Sequence, residues 1–344
     1  MTSKQPSEKL FSSALKPYVT SALGAAYLGD AKELINNVTD NSVDLILTSP
    51  PYALFFKKEY GNVDQDKYVD WLLGFASDFR RVLKPTGSFV LNIGGSWTPR
   101  QPTRALCHFE IALRLVKECG FHLAQEFFWH NPAKLPAPAE WVTVRRIRVK
   151  DAVEMVWWLS KEPFPKADNR KVLQPYSPDM LRLLQRGYKP KQRPSGHTIT
   201  AKFGDRGGSI PGNMLSLGNN DANGHYLTRC GEMGVKPHPA RFPAQLPAFF
   251  VEFLTDPNDV VLDPFAGSCT TGEVAENLGR RWLAFEVSKT YLDGAKFRFE
   301  APWDIDRRNQ ILSAFGQTFS SGDVATEQTT LQFPSKRIAG KVRK

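Results

Sequence analysis

The sequence predicts an α/β protein built on one doubly wound, mostly parallel sheet, with a loop-rich region inserted in its middle. Three observations carry that prediction. Over 25–160, apolar runs of strand length alternate with amphipathic stretches of helical spacing, the pattern of strands covered on both faces by crossover helices. The same texture returns over 238–303. Between the two lies a stretch rich in Pro, Gly, Asn, Lys and Arg with little periodicity, which needs a neighbouring core for its order. Two separated α/β zones can share one sheet if their strands interleave.

The elements follow in order. Val43–Thr48 (VDLILT) reads as a buried strand. Tyr68, Trp71, Leu72, Phe75, Phe79 and Val82 stand at helical spacing and predict a helix over 68–82, stopped by Lys84-Pro85-Thr86-Gly87. Residues 88–93 (SFVLNI) read as the next strand, 104–117 as a second helix with Gly120 at its end, and 123–129 as another strand. Arg146, Arg148 and Lys150 alternate along a stretch that reads as a strand; their shared face either tracks a polyanion or is the polar side of a half-buried strand. Trp157 and Trp158 read as core. In the last zone VVLDPF is a strand, 271–278 a helix, RRWLAFEV a strand and 289–299 a helix. The chain thus divides into a tail (1–17), a first α/β half (18–162), an insertion (163–237), a second half (238–303) and an extension (304–344) that is polar, basic and poorly ordered beyond about Gln317.

Composition narrows the function classes. With 344 residues, 41% of them hydrophobic, the chain can bury one large core. No stretch approaches the roughly 18 unbroken apolar residues of a membrane span, and MTSKQPSEKL lacks the apolar centre of a signal peptide, so a cytoplasmic location is expected. Cys107, Cys119, Cys230 and Cys269 are scattered without a CxxC pair or a partnered His, which signals neither disulfides nor a metal. The net charge is +10, and residues 166–206 hold ten Lys or Arg against three Asp. A concentrated basic excess suits a nucleic acid, whose counterions are released by each Lys or Arg contact.

The sharpest local feature is Thr48-Ser49-Pro50-Pro51-Tyr52, at the strand end where open α/β sheets bind ligands. Pro50 and Pro51 lock the backbone and remove two N–H donors, leaving nearby carbonyls unpaired by the chain. Ser49 adds a hydroxyl acceptor and Tyr52 a planar face. An sp² amine needs those parts: acceptors for its two hydrogens and an aromatic surface for its ring. A bare Pro-Pro turn carries no such meaning; the Ser and Tyr flanks favour a site. The second feature is Asp263-Pro264-Phe265-Ala266-Gly267-Ser268-Cys269-Thr270-Thr271-Gly272, between a strand and a helix, where small residues let the backbone approach a ligand. Glu286 ends the next strand 23 residues after Asp263, about where a Rossmann-like nucleotide-binding unit places an acid on ribose hydroxyls. The loop lacks the GK[ST] ending of a P-loop, which disfavours ATP and GTP.

TSPPY followed much later by DPFAGSCTT resembles the permuted, β-class amino methyltransferases of DNA, cytosine-N4 type, in which the catalytic motif precedes the cofactor loop. KEYGN (58–62), GGSW (94–97) and PAKLPAPAEWVTVRRIRVKDAV (132–153) fit the same family, and the similarity spans about 18–302. The resemblance implies S-adenosylmethionine-dependent, site-specific modification of double-stranded DNA within a restriction–modification system, with a cognate endonuclease encoded separately. No nuclease carboxylate–lysine constellation is visible in this chain. By position, Asp263, Phe265, Gly267 and Ser268, with Pro264 and Ala266 among them, would line the methionine end of the cofactor, and Glu286 would hold its ribose. Asp30 in YLGD (27–30) resembles the acid that meets the adenine amine, and is equally placed to cap a helix over 31–35. Residues 238–250 (HPARFPAQLPAFF) resemble the segment that closes over the methionine, and Trp129, Asn131 and Pro132 one near the flipped base. One departure stands out: Cys269 occupies a position where the family usually has Gly, which would tighten the loop.

In the family mechanism the target base leaves the stack at a cost of roughly a few kcal/mol. Tyr52 would then stack on it, while Ser49 Oγ and the Pro50 carbonyl, held by Pro51, accept hydrogen bonds from the amine. The amine attacks the methyl group directly, with no cysteine nucleophile. Ser49 points to cytosine N4; adenine-N6 enzymes more often carry Asp or Asn there, so adenine N6 stays open, as do an RNA amine and binding without catalysis. Target recognition would fall to 163–237, with Lys189, Lys191, Arg193, Ser195, His197 and Arg206 as DNA contacts. Residues 18–162 are then the catalytic half and 238–303 the cofactor-binding half.

Overall fold

A computed structural model describes residues 10, 15–52, 64–187, 204–219 and 224–313. In chain order the elements are β1 (Val19–Thr20), β2 (Gly24–Leu28), α1 (Ala31–Leu34), β3 (Val43–Thr48), α2 (Tyr68–Leu73), α3 (Ala76–Val82), β4 (Leu83–Ile93), α4 (Cys107–Lys117), β5 (His122–His130) and β6 (Val153–Ser160). They continue with α5 (Pro178–Arg186), β7 (Met214–Ser216), α6 (His225–Glu232), α7 (Gln245–Leu254), β8 (Val260–Asp263), α8 (Thr270–Asn277), β9 (Arg281–Glu286), α9 (Lys289–Ala295) and α10 (Ile305–Leu312).

The two α/β zones interleave in one sheet of order β1-β2-β9-β8-β3-β4-β6-β5-β7. From β2 to β4 the pairing is parallel; β6 enters antiparallel to both β4 and β5. Both faces are covered. Leu45 and Leu47 of β3 join the cluster that holds Phe249 and Phe250 of α7, whereas Ile46 between them joins the cluster of α2, α3 and α4. That alternation explains why the central strands read as unbroken apolar runs. Phe250 packs edge-on against Phe127 at 5.1 Å, and truncating such a fully buried ring costs roughly 3–5 kcal/mol.

Local departures from the sequence reading have identifiable causes. The helix expected over 68–82 is divided at Gly74, whose carbonyl accepts from Lys32 Nζ. Lys84-Pro85-Thr86-Gly87 does end the helix, but as an irregular start to β4: Val43 pairs with Leu83 and Leu45 already with Ser88. The strand expected around Arg146, Arg148 and Lys150 does not form. Residues 140–144 make one π turn, Arg146 adopts φ 55°, and the amides of Ile147 and Arg148 fold back onto the Trp141 carbonyl. The chain closes on itself there instead of pairing, so the three basic side chains share no strand face. Trp157 and Trp158 are buried on opposite faces of β6, as expected of core.

The irregular middle leans on the sheet. Met214–Ser216 pairs with β5, and Tyr226 and Cys230 of α6 pack on Phe297. Among the described residues no helix is long and apolar enough to cross a membrane.

Candidate active site

β3 and β8 lie side by side, but the chain leaves β3 towards β4 and leaves β8 towards β9, in opposite directions along the sheet. Divergent connections open a crevice at the carboxyl ends of such a pair. A cavity of about 570 Å3 lies there, and its wall contains Ser49, Pro50, Pro51 and Tyr52 from one motif and the whole run from Asp263 to Ser268 from the other. Asp30 and Glu286 also line it. The two motifs, more than 200 residues apart in sequence, are joined directly: Thr48 Oγ1 donates to Asp263 Oδ1 at 2.6 Å. Thr271 Oγ1 and the Phe265 amide also donate to that carboxylate, at 2.8 and 3.1 Å. Burial pushes Asp263 up to about 6 in spite of these bonds, which favour its charged form.

On the Ser49 side, polar groups converge on two hydroxyls. Ser49 Oγ donates to Tyr52 Oη at 3.2 Å, and Tyr52 Oη donates to Glu154 Oε2 at 2.6 Å. Asn92 Nδ2 donates to both hydroxyl oxygens, and Lys134 Nζ to Glu154 Oε1 at 3.0 Å. Burial, then the adjacent Glu154 charge, hold the Tyr52 phenol well above its ordinary range, so it stays protonated. The ring lies hard against Gly94, where an added Cβ would come within 2.6 Å of it; this is a physical reason for glycine in GGSW. Trp129 and Asn131 line the cavity, the indole held by its N–H on the Leu217 carbonyl.

On the Asp263 side the loop turns on two left-handed residues. Gly267, at φ 52°, lies under the His238 imidazole, which a Cβ would meet at 3.1 Å. Cys269, at φ 60° and ψ 37°, is in the region that favours glycine, so the departure noted in the sequence is a strained one. Its buried sulfur has room because Gly272 has no side chain: a Cβ there would lie 2.7 Å from Sγ. Glu286 accepts from the Gly267 and Ser288 amides, both at 2.8 Å, and burial raises its pKa. Asp30 caps α1 by accepting from the Lys32 amide at 2.7 Å while also lining the cavity, so the two placements are compatible. Burial, with some help from the positive Arg241 and Arg298, pushes His238 down to about 4, leaving the imidazole neutral.

The sequence matches the DNA methylase family over residues 43–297. The type II methyltransferase M.PvuII of Proteus hauseri is 51% identical over 288 residues, 83% of this chain and 86% of that protein. M.BglII of Bacillus subtilis is 28% identical over 275 residues, 79% of this chain and 67% of its own. The solved PvuII DNA methyltransferase (cytosine-N4-specific) has the same fold, with a TM-score of 0.70 at 43% identity, covering 88% of this chain and 97% of that one. This chain belongs to the DNA methylase family.

Several residues in or beside this cavity escaped the sequence reading. Asn92 and Glu154 sit in strands whose apolar neighbours dominate the pattern, and Lys134 lies in a loop without periodicity. Trp71 and Phe75 have helical spacing suited to core, yet they also line the cavity and pack on Phe265, with centroids 5.5 and 5.2 Å away. Arg298 is remote in sequence from the loop it supports: Nε donates to the Ser268 carbonyl at 2.6 Å, and Nη1 to the Glu273 carboxylate. Of the expected DNA contacts, Lys189, Lys191, Arg193, Ser195 and His197 lie outside the described residues. Arg206 is exposed, with its amide held by Tyr176 Oη at 2.8 Å, and does not line the cavity. Arg148 and Lys150 donate to backbone carbonyls, Arg148 to Pro102 and Lys150 to Pro132 and Lys134. Among the described residues no three His, Cys, Asp or Glu side chains cluster as metal ligands.

Proposed function

We propose that this DNA methylase transfers the methyl group of S-adenosylmethionine to cytosine N4 in a short duplex sequence, as the modification half of a restriction–modification system. The observation that carries the proposal is the meeting of the Ser49–Tyr52 and Asp263–Ser268 motifs in one cavity at the sheet's switch point. The choice of atom is supported by the strong similarity to PvuII methyltransferase, described as cytosine-N4-specific, and by serine at position 49.

The cavity suits the cofactor chemically. Four carboxylates line it (Asp30, Glu154, Asp263 and Glu286), against one guanidinium, Arg241, and a neutral His238. That excess of negative charge favours a sulfonium with an ammonium group and disfavours a nucleoside triphosphate. Asp263, Phe265, Gly267 and Ser268 hold the methionine end, Glu286 the ribose hydroxyls and Asp30 the adenine amine. Bound there, S-adenosylmethionine supplies an electrophilic methyl group. The chain's own part is to position the base. A cytosine rotated out of the duplex stacks on Tyr52, regaining part of the lost stacking energy. Ser49 Oγ and the Pro50 carbonyl accept its amine hydrogens and concentrate the lone pair on nitrogen for direct attack. We assign catalysis to 18–162, target recognition to the basic region 163–237 and cofactor binding to 238–303. The enzyme acts in the cytoplasm beside a separately encoded endonuclease.

The test is nucleoside mass spectrometry of unmodified duplex DNA incubated with the protein and S-adenosylmethionine. N4-methylcytosine is the expected product, lost in Ser49→Ala with cofactor binding retained. N6-methyladenine would overturn the choice of base, and no methylated base on DNA covering all short sites would redirect the search to RNA or protein amines.

A further inference from the structure

Attack by a base amine leaves a proton to be removed, and a serine hydroxyl is too weak a base to keep it near neutral pH. The hydrogen bonds beside Ser49 all run one way. Ser49 Oγ donates to Tyr52 Oη, and Tyr52 Oη donates to Glu154 Oε2. Asn92 Nδ2 donates to both oxygens; a carboxamide N–H accepts nothing, so neither hydroxyl can direct its hydrogen back at it. Glu154 pairs with Lys134 through Oε1 at 3.0 Å, which leaves Oε2 to the hydroxyls. The other carboxylates of the cavity are held by other groups: Asp263 by Thr48, Thr271 and the Phe265 amide, Glu286 by the Gly267 and Ser288 amides, Asp30 by the α1 cap. Glu154 alone among them ends a chain of hydroxyl donors that begins at Ser49.

We propose that Glu154 is the terminal proton acceptor of a relay that begins at the target amine and runs through Ser49 and Tyr52. The proposal rests on the amine methylation proposed above. The amine nitrogen bonds to the methyl carbon as that carbon's bond to sulfur breaks and the electron pair leaves on sulfur. Nitrogen gives one hydrogen to Ser49 Oγ, Ser49 passes its own to Tyr52 Oη, and Tyr52 passes its own to Glu154 Oε2. Both hydroxyls are regenerated and Glu154 ends as a neutral acid. The raised pKa of Tyr52 fits this part, since the phenol hands a proton on without itself becoming an anion. The ring face stays available for stacking because the relay uses only the hydroxyl at its edge.

Single-turnover methylation by the full chain tests the relay in Glu154→Gln, Tyr52→Phe and the double variant. Cofactor affinity and the fluorescence of 2-aminopurine at the target position are measured alongside. Each single variant should slow the chemical step on the order of 10²-fold, the scale of lost general base catalysis. The double variant should be no slower than the slower single and base flipping should match wild type, with the chemical step read at saturating cofactor because Glu154→Gln removes one of the four carboxylates of the cavity. A solvent-deuterium slowing of the wild-type step should vanish in both singles, which loss of packing alone would not produce. A wild-type rate in Glu154→Gln, effects that multiply in the double variant, or a loss confined to binding or flipping would each overturn the relay. Should Glu154→Gln fold poorly, Tyr52→Phe carries the test, since it keeps the carboxylate and the ring. If wild-type protein methylates no base at all, amine methylation itself fails and not the relay alone.

Discussion

Replacing Arg298 with methionine isolates what a buried guanidinium does for the loop that follows β8. Arg298 donates to the Ser268 carbonyl at 2.6 Å, to Ser268 Oγ at 3.1 Å and to the Glu273 carboxylate, with its guanidinium 4.3 Å over the Tyr226 ring. The side chains of Arg298 and Glu273 are only 6% and 11% exposed, so solvent screens their pairing little. Methionine keeps much of the apolar stem but leaves the carboxylate without its cation and the carbonyl without a donor. Breaking a buried pair from one side costs about 3–5 kcal/mol. At roughly 2 °C per kcal/mol, the low end that suits a large chain, the melting temperature should fall by roughly 6–10 °C. Ser268 lines the cavity, so affinity for S-adenosylmethionine should weaken as well. Adding Glu273→Gln removes the stranded charge, while the amide oxygen can still accept from Trp303 Nε1, now at 3.0 Å from Glu273. Differential scanning calorimetry should therefore find the double variant more stable than Arg298→Met alone. A single variant that melts with wild type, or a double variant no better than the single, would refute the reasoning.

Three further outcomes are expected. Cys269→Gly should melt close to wild type, because release of about 1–2 kcal/mol of left-handed strain offsets glycine's greater unfolded-state entropy and the lost sulfur contacts. Cys269→Ala keeps the strain and loses the sulfur, so it should melt lower; the opposite order in calorimetry argues against strain at this position. Asp263 has its folded pKa raised to about 6, so its contribution to stability is complete below its unfolded value of about 4 and is lost as pH rises through 6. Denaturant titrations should then show Asp263→Asn gaining on wild type between pH 4 and 7, by up to about 3 kcal/mol; a constant difference across that range would count against the burial argument. Gly94→Ala should displace the Tyr52 ring and slow single-turnover methylation while leaving cofactor affinity intact, and equal loss of both would place the damage elsewhere.

The strands and motifs legible in the sequence share a cause: they are set by local pattern. Val43–Thr48 and Arg281–Glu286 are apolar runs bounded by turn residues, and they form as read because central parallel strands bury both faces. The stretch around Arg146, Arg148 and Lys150 alternates just as well and forms no strand, because the Ile147 and Arg148 amides are taken by the Trp141 carbonyl and the Arg148 side chain turns to the Pro102 carbonyl. Alternation reports a possible face; whether a partner edge reaches it depends on the rest of the chain.

Sequence alone determined the two motifs, their order and the chemistry each residue type can offer, since proline, glycine, serine and carboxylate carry those properties wherever they stand. Tertiary structure decided which groups meet. It inserted β8 between β3 and β9, which put Thr48 on Asp263 and merged both motifs in one cavity. It brought Asn92, Glu154 and Arg298 to that cavity and its loop from strands and turns with no local signature. The reason is physical: a side chain's type fixes its donors and acceptors, but a hydrogen bond exists only within about 3 Å, and over 200 residues of chain that distance is set by sheet order and packing.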